Sequence, residues 1–253
     1  PQGPARGVAV ALASLALLAG PSAAAELRVL ALTGTPAPGT GRDFESLLVF
    51  PDLDDGGRVA FRARLTGAEP WRDSLWWATP DGVDLVARSG DPAPGVPGAV
   101  VEEVLEIRAA GAQRVAFSGT IAGGLIPVTL DEGIWSNRGG PLVPVVREGT
   151  APPGVGPGVV LRGGETFQFT LDGAGRLALR GYLDGAGITA SDDQAIWAER
   201  GGPLELVVRK GDPAPGVVPG TVFGGLGVLA GDREGRLAFA ANLVAPAQDL
   251  GVI

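Results

Sequence analysis

The chain has 253 residues, contains neither cysteine nor histidine, and carries a formal net charge of −8 at pH 7. This composition excludes disulfide stabilisation, Cys–His and Ser–His–Asp nucleophile systems and His-ligated metal sites. The acidic balance also argues against binding to nucleic acid or anionic membranes, because both need clustered Lys and Arg.

The N-terminus is predicted to be an export signal over residues 1–25. Arg6 supplies positive charge, residues 8–19 form an apolar run, and Ala23–Ala25 offer the small side chains that signal peptidase needs. The run is shorter than the roughly twenty residues of a membrane-spanning helix; a buried or membrane helix is the alternative. We therefore expect a mature protein that starts at Glu26 and is extracellular, periplasmic or at the cell surface.

The repeat domain, residues 26–253, contains four copies of a Gly- and Pro-rich loop whose first glycines lie 56, 59 and 62 residues apart. The copies are Gly34–Gly39, Gly90–Gly95, Gly149–Gly154 and Gly211–Gly216. A tryptophan precedes the first glycine by 14 positions in three copies, at Trp76, Trp135 and Trp197. A regular period of this size predicts a repeat architecture, in which neighbouring units bury a shared core.

A second motif follows each loop at a similar distance. Three copies read Asp-x-x-Gly-x-x-Ala followed by Phe or Leu, at Asp54–Phe61, Asp172–Leu179 and Asp232–Phe239. The second copy keeps only Ala116-Phe117. These landmarks divide the domain into units of approximately residues 26–70, 71–130, 131–190 and 191–253.

The second motif resembles that of the bacterial exported choice-of-anchor tandem-repeat proteins, which are named for Asn-x-x-Gly-x-x-Ala-Phe. Asp replaces Asn in this chain, and the resemblance covers the chain from about Glu26 to its end. It implies export, repetition and often a C-terminal surface-sorting segment, and it brings no catalytic residues. The chain lacks Met, and Gly251–Ile253 begins another strand of the Trp type, so we interpret it as a fragment of a longer protein or as a chain clipped at both ends. The missing part is where a C-terminal anchor would be expected.

The fourth copy shows how a unit is built. Its predicted strands are Ala195–Glu199, Leu204–Arg209, Thr221–Leu229 and Arg236–Leu243, separated by Gly- and Pro-rich turns. Four short antiparallel strands are the content of one blade, so we predict an all-β protein arranged as a β-propeller. The ring has four blades or is part of a larger one; a β-sandwich tandem and a β-solenoid are the alternatives.

Three arginines are candidates for binding a ligand. Arg88, Arg147 and Arg209 each lie two positions before a loop glycine. In a common channel they would bind an anionic group such as the carboxylate of a sugar. Structural ion pairs, for instance with Asp91 and Asp212, explain the same pattern and are the favoured interpretation.

Two tryptophans outside the repeat phase, Trp71 and Trp77, are the aromatic candidates for binding. The tryptophans that keep the phase are expected to pack between blades instead.

Carboxylate pairs form the basis of an enzymatic alternative. Glycosidases need two carboxylates that face one substrate. The pairs are Asp54-Asp55, Glu102-Glu103, Asp131-Glu132 and Asp192-Asp193, for which solvated loop charge is the favoured interpretation. The segment Asp52–Gly57 resembles the start of a calcium loop but lacks the final Glu, which favours a capped turn. We assign no catalytic, metal-binding or cofactor-binding residue.

These observations favour an exported, non-catalytic scaffold or binding module whose partner is a glycan or another surface protein. The alternative is a carbohydrate-active propeller enzyme, glycosidase- or lyase-like, that uses carboxylates. An enzyme would need residues of one unit that break the repeat and converge on a single pocket.

Overall fold

The computed structural model describes residues 9–13, 27–48, 51–68, 72–79, 81–111, 113–138, 140–162 and 167–246. Within these ranges every helix or strand assigned is a β-strand, so the all-β prediction is confirmed. The same ranges hold no helix with the length and apolar character needed to cross a membrane.

The chain divides into two compact units, each described separately below. Unit 1 comprises Pro1–Ile126 and Trp135–Val143, and unit 2 comprises Pro127–Ile134 and Pro144–Ile253. The strands of unit 1 are β1 (Ala9–Ala13), β2 (Leu27–Leu32), β3 (Pro36–Ala37), β4 (Arg42–Leu47), β5 (Asp52–Leu53), β6 (Val59–Leu65), β7 (Asp73–Thr79), β8 (Gly82–Arg88), β9 (Val100–Ala110) and β10 (Arg114–Ala122). The division passes through β11 (Glu132–Ser136) and β12 (Val143–Arg147). The strands of unit 2 are β13 (Val159–Leu161), β14 (Gln168–Leu171), β15 (Leu177–Gly185), β16 (Gln194–Glu199), β17 (Leu204–Arg209), β18 (Val222–Gly231) and β19 (Leu237–Val244).

The main sheet of unit 1 is an antiparallel meander in which β6, β7 and β8 are neighbours. Its strand order is β3-β4-β6-β7-β8, and β5 also pairs with β6. In this register Phe61 lies opposite Trp76, and Trp77 lies opposite Ala60 on one side and Asp84 on the other. Strand β1 pairs with β2 in a separate two-stranded sheet. Strand β9 pairs with β10 in a four-stranded sheet whose order is β12-β11-β10-β9. The strand β1 lies inside the segment predicted to be the export signal.

Strand β7 is buried on both faces, as expected for a strand between two layers. Its side chains alternate between two cores because successive residues of a strand point to opposite faces. Trp76 packs with Phe44 and Phe61 in one core. Trp77 packs with Val104 of β9 in the other. The apolar pattern on both faces therefore reflects sheet-on-sheet packing inside unit 1.

Unit 2 repeats this arrangement with a smaller second sheet. One sheet has the strand order β13-β15-β16-β17, with β14 also paired to β15, and Leu179 lies opposite Trp197. The other sheet is the pair β18-β19, and Ile196, Val208 and Leu226 form the core between the two. The strands predicted for the fourth copy are thus all present, but they belong to two sheets, because the Gly/Pro loop connects one sheet to the next.

An arginine bridges the two sheets in each unit. Arg62 of β6 donates from Nη1 to the carbonyl oxygen of Leu105. Arg180 of β15 donates in the same way to Leu226, at 2.9 Å. Both arginines lie one position after the second motif, so a repeated sequence position gives the same sheet-to-sheet hydrogen bond.

Each Gly/Pro loop begins with a β-turn that requires glycine. The first glycine of the four copies has φ between +71° and +91°, a conformation that costs glycine little. In the second copy the turn closes with a hydrogen bond from the Asp91 N–H to the Arg88 carbonyl oxygen at 3.1 Å, and the other copies have the equivalent bond. The third residue of such a turn is where glycine is demanded.

The repeated tryptophan binds the loop directly in two copies. The indole Nε1 of Trp135 donates to the Pro94 carbonyl oxygen at 3.1 Å, and that of Trp197 donates to Pro153 at 2.9 Å. These prolines are the penultimate residues of their loops. In the main sheet of unit 1, the indole Nε1 of Trp76 instead donates to the hydroxyl oxygen of Ser74 at 2.8 Å. Trp135 and Trp197 therefore each bind the loop of the preceding copy, not the loop that follows by 14 positions.

Candidate functional site

The candidate arginines lie at the ends of three separate strands. Arg88 ends β8 and forms an ion pair with Asp91, with Nη2 and Oδ1 2.7 Å apart. Arg209 ends β17, and its Nη2 lies 2.6 Å from Oδ2 of Asp192. Asp212 instead accepts the backbone N–H of Arg209 at 2.7 Å. Two of these arginines therefore have partners close to their own loops; Arg147 ends β12 and is half-buried.

The second motif also has a local role. Oδ1 of Asp54 accepts the backbone N–H groups of Gly56 and Arg58 at 2.8 and 2.9 Å, and its Oδ2 accepts Nε of Arg58 at 2.8 Å. Asp172 makes the equivalent bonds to Ala174 and Arg176. The capped turn predicted for the segment Asp52–Gly57 is confirmed.

Trp77 has a different environment from the repeated tryptophans. Its side chain lies in the core of unit 1, and the residue is 4% exposed. The Arg58 guanidinium lies 5.9 Å from the centre of its ring. Its indole Nε1 is buried and has no hydrogen-bond partner among the described residues. The other aromatic candidate, Trp71, lies outside the described residues.

A cleft of about 150 Å³ opens beside Trp77. It is lined by Trp77, Asp84, Val86, Gln113, Val115 and Asn137. Trp77 and Val115 are buried, whereas Asp84 and Gln113 are exposed. The cleft therefore has an apolar floor and a polar rim.

The polar residues are positioned by the sheet and by one turn. Asp84 lies opposite Trp77 in the pairing of β7 and β8. Gln113 lies in the turn between β9 and β10 with φ +59°, which is uncommon for a residue other than glycine. Asn137 braces this turn, because its Oδ1 accepts the Val115 N–H at 2.9 Å and its Nδ2 donates to the Gln113 carbonyl oxygen at 2.7 Å.

The corresponding place in unit 2 is nearly filled. There Ala198 takes the position of Trp77 and Gly235 that of Gln113, and the cavity measures about 30 Å³. A Cβ added to Gly235 would come within 2.6 Å of Nη2 of Arg176 and 2.9 Å of Oδ2 of Asp172. The turns of successive copies therefore lie in contact in unit 2, at a glycine with φ +84°. The cleft in unit 1 is found where the repeat is broken.

Part of this site is visible in the sequence. Trp77 stands out because it is out of phase, and the second copy of the motif is degenerate at Gln113. Asp84 and Asn137 carry no sequence signal, because only strand pairing brings Asp84 to Trp77 and only the turn contact brings Asn137 to Gln113.

The rim of the cleft offers a ligand a strong hydrogen-bond acceptor. Asp84 contributes a carboxylate to the rim, and its side chain makes no hydrogen bond or ion pair with the described residues. None of the described lining residues is Lys or Arg. No group of three or more acidic, His or Cys residues suited to a metal ion occurs in the described ranges. The arrangement is suited to a ligand that donates hydrogen bonds and has an apolar surface.

Comparison with protein-family models matches this chain over residues 6–167 and again over residues 111–251. The matched model is described as a family of unknown function, DUF7453. No curated protein matches the chain. Since the matched residues span most of its length, the chain belongs to the DUF7453 family.

Proposed function

We propose that the protein is an exported, non-catalytic repeat protein that acts as a surface or extracellular binding module. The observation that carries this proposal is the cleft of unit 1, where Trp77 and Gln113 break the repeat and line one cavity whose described residues include a single carboxylate, Asp84. An enzyme would need the same break in the repeat, so this single carboxylate among the described residues is what favours binding over catalysis. Repeated positions serve the fold in both units, whereas these residues depart from the pattern. Export rests on the N-terminal sequence, and the partner class is a glycan or another surface protein.

For the architecture we propose the β-propeller. Its support is the run of antiparallel strands between successive Gly/Pro loops, such as β4-β6-β7-β8 and β9-β10-β11-β12. A meander of this kind is the content of a propeller blade.

Binding is favoured over hydrolysis because of the carboxylates. A glycosidase places two carboxylates about 5–9 Å apart across one substrate. Among the described lining residues, Asp84 is the single carboxylate. The aspartates of the second motif are bound to arginine and backbone N–H groups of their own turns.

The test is a binding screen against a glycan and polysaccharide panel, with analysis of products. We expect saturable binding without product, and loss of that binding in Asp84→Asn. The matched control is Asp81→Asn, which removes an exposed carboxylate of the same hairpin that does not line the cleft. Turnover that depends on a carboxylate pair would overturn the proposal in favour of the enzyme. Binding that Asp84→Asn leaves unchanged would remove the cleft from it.

A further inference from the structure

We infer that the cleft beside Trp77 binds a single neutral sugar ring and discriminates against acidic sugars. This inference rests on the proposed binding function and adds the chemical class of the ligand. It is carried by three properties of the cleft: its volume, the distribution of polar and apolar lining, and its charge.

The volume limits the ligand to about one ring. Pockets for drug-sized ligands measure roughly 300–1,000 Å³. The cleft measures about 150 Å³, which leaves room for a terminal sugar residue but not for a long segment of a polysaccharide chain. The rest of a longer glycan would extend into solvent past the exposed rim at Asp84 and Gln113.

The lining matches the two surfaces of a sugar ring. A carboxylate accepts hydrogen bonds and donates none, so Asp84 needs a ligand with donors such as hydroxyl groups. The amide of Gln113 offers both donors and an acceptor on the same rim. The half-buried side chain of Val86 and the small exposed part of Trp77, which is 4% exposed, form the apolar floor for ring C–H groups.

The charge decides between neutral and acidic sugars. Asp84 stands on the rim, and no cationic side chain is found among the described lining residues. Arg58, whose guanidinium lies 5.9 Å from the centre of the Trp77 ring, is already bound to Asp54. A uronic acid would therefore bring a second carboxylate next to Asp84 without a partner. The chain as a whole carries a net charge of −8, which acts in the same direction.

The experiment compares ligands that differ in one group. Methyl glucoside and methyl galactoside are titrated into the protein alongside the matching methyl uronides, and the indole N–H signals of the tryptophans are followed by NMR. Trp77→Phe identifies the signal of Trp77. We expect saturable shifts of this signal with at least one neutral glycoside, and at least tenfold weaker binding of its uronide.

Asp84→Asn tests the cause. Hydrogen bonds to a charged group are the strong ones, so we expect this variant to bind the neutral glycoside about tenfold or more weakly. It should also lose most of the discrimination against the uronide. Asp81→Asn should match the unsubstituted protein in both respects.

The possible failures are distinguishable. Equal or tighter binding of the uronide would overturn the inference. Butylammonium is the comparison probe, because it combines hydrogen-bond donors with an apolar chain but has no sugar ring. Saturable shifts of the Trp77 signal with butylammonium, and with neither type of glycoside, would overturn the inference while leaving the binding function in place. If no glycoside and no butylammonium perturbs this signal, and the glycan panel shows no saturable binding, both the inference and the proposed function fail.

Discussion

At the residue scale, the glycine position of the second motif has a backbone conformation with positive φ in every copy. Gly57, Gly175 and Gly235 all have positive φ, between +72° and +84°. In the second copy Gln113 occupies this position with φ +59°. An L-residue pays for this conformation in backbone strain, and the structure retains it where the cleft opens.

The two types of residue at this position lead to a paired prediction. Gln113→Gly removes the strain and should stabilise the protein by up to about 1 kcal/mol, since the left-handed conformation costs an L-residue about 1–2 kcal/mol. Gly235→Ala adds the strain and a Cβ 2.6 Å from Nη2 of Arg176, so it should be destabilising. Urea unfolding of the two variants measures both effects. A neutral Gly235→Ala would contradict the contact between turns in unit 2.

A pH dependence is predicted for Asp192. Hydrogen bonds from the backbone N–H and hydroxyl of Thr189, together with the nearby Arg209 and Lys210, hold the pKa of Asp192 below its ordinary value of 3.8. Because the folded pKa is lower than the unfolded pKa, the carboxylate stabilises the fold above the unfolded value. This contribution is lost as the pH falls through the folded pKa.

Asp192→Asn should therefore reduce the loss of stability in acid. Unfolding curves between about pH 2.5 and pH 7 should show a shallower decline below about pH 4 for this variant than for the unsubstituted protein. The matched control is Asp81→Asn. An unchanged acid limb in Asp192→Asn would show that the contacts with Thr189 and Arg209 do not persist in solution.

At the element scale, β19 resembles β6 and β15 in sequence but is much more exposed to solvent than they are. Leu65 and Leu183 lie at the same repeat position in β6 and β15, and they are 0% and 1% exposed. Leu243 is the corresponding residue of β19 and is 48% exposed. In the other sheets a Trp-bearing strand, β7 or β16, pairs with this strand. The sheet β18-β19 is a pair of strands in the described part of the chain.

Leucine substitutions measure this difference within one unit. Leu183→Ala should cost about 2–5 kcal/mol, as is usual for a buried leucine. Leu243→Ala should cost less than about 1 kcal/mol, because much of its side chain is already in water. Thermal and urea unfolding provide the comparison. Equal costs would mean that another strand covers Leu243 in solution.

At the scale of the whole molecule, the predicted export signal and the fold overlap. Strand β1 lies within residues 1–25 and pairs with β2. Cleavage after Ala25 would remove β1 and with it the strand that is paired with β2.

Expression with the N-terminal segment in a bacterial host tests this prediction. Mass spectrometry of the exported protein should find a mature chain that begins at Glu26. Ala25→Phe places a large side chain where signal peptidase needs a small one, so it should block or displace cleavage. A soluble cytoplasmic protein that keeps residues 1–25 would refute the export prediction.

The local architecture could be predicted from the sequence because its causes are local. A turn that demands glycine, a proline that cannot join a strand ladder and an Asp that caps its own turn all act within a few residues. Because these signals recur in several copies, they can be recognised in the sequence. The all-β class, the strands of the fourth copy and the capped turn at Asp54 followed from such patterns and are confirmed.

The site could be predicted only in part, because its residues meet through contacts far apart in the chain. The sequence by itself determined that Trp77 and the second copy of the motif depart from the repeat. Only the tertiary structure decided that Gln113 and Asn137 lie beside Trp77 and Asp84. It also decided that Trp135 and Trp197 bind the loops of the preceding copies, 41 and 44 residues earlier in the chain. Strand register and sheet packing bring these residues into contact. Both depend on the simultaneous burial of many side chains rather than on any short segment.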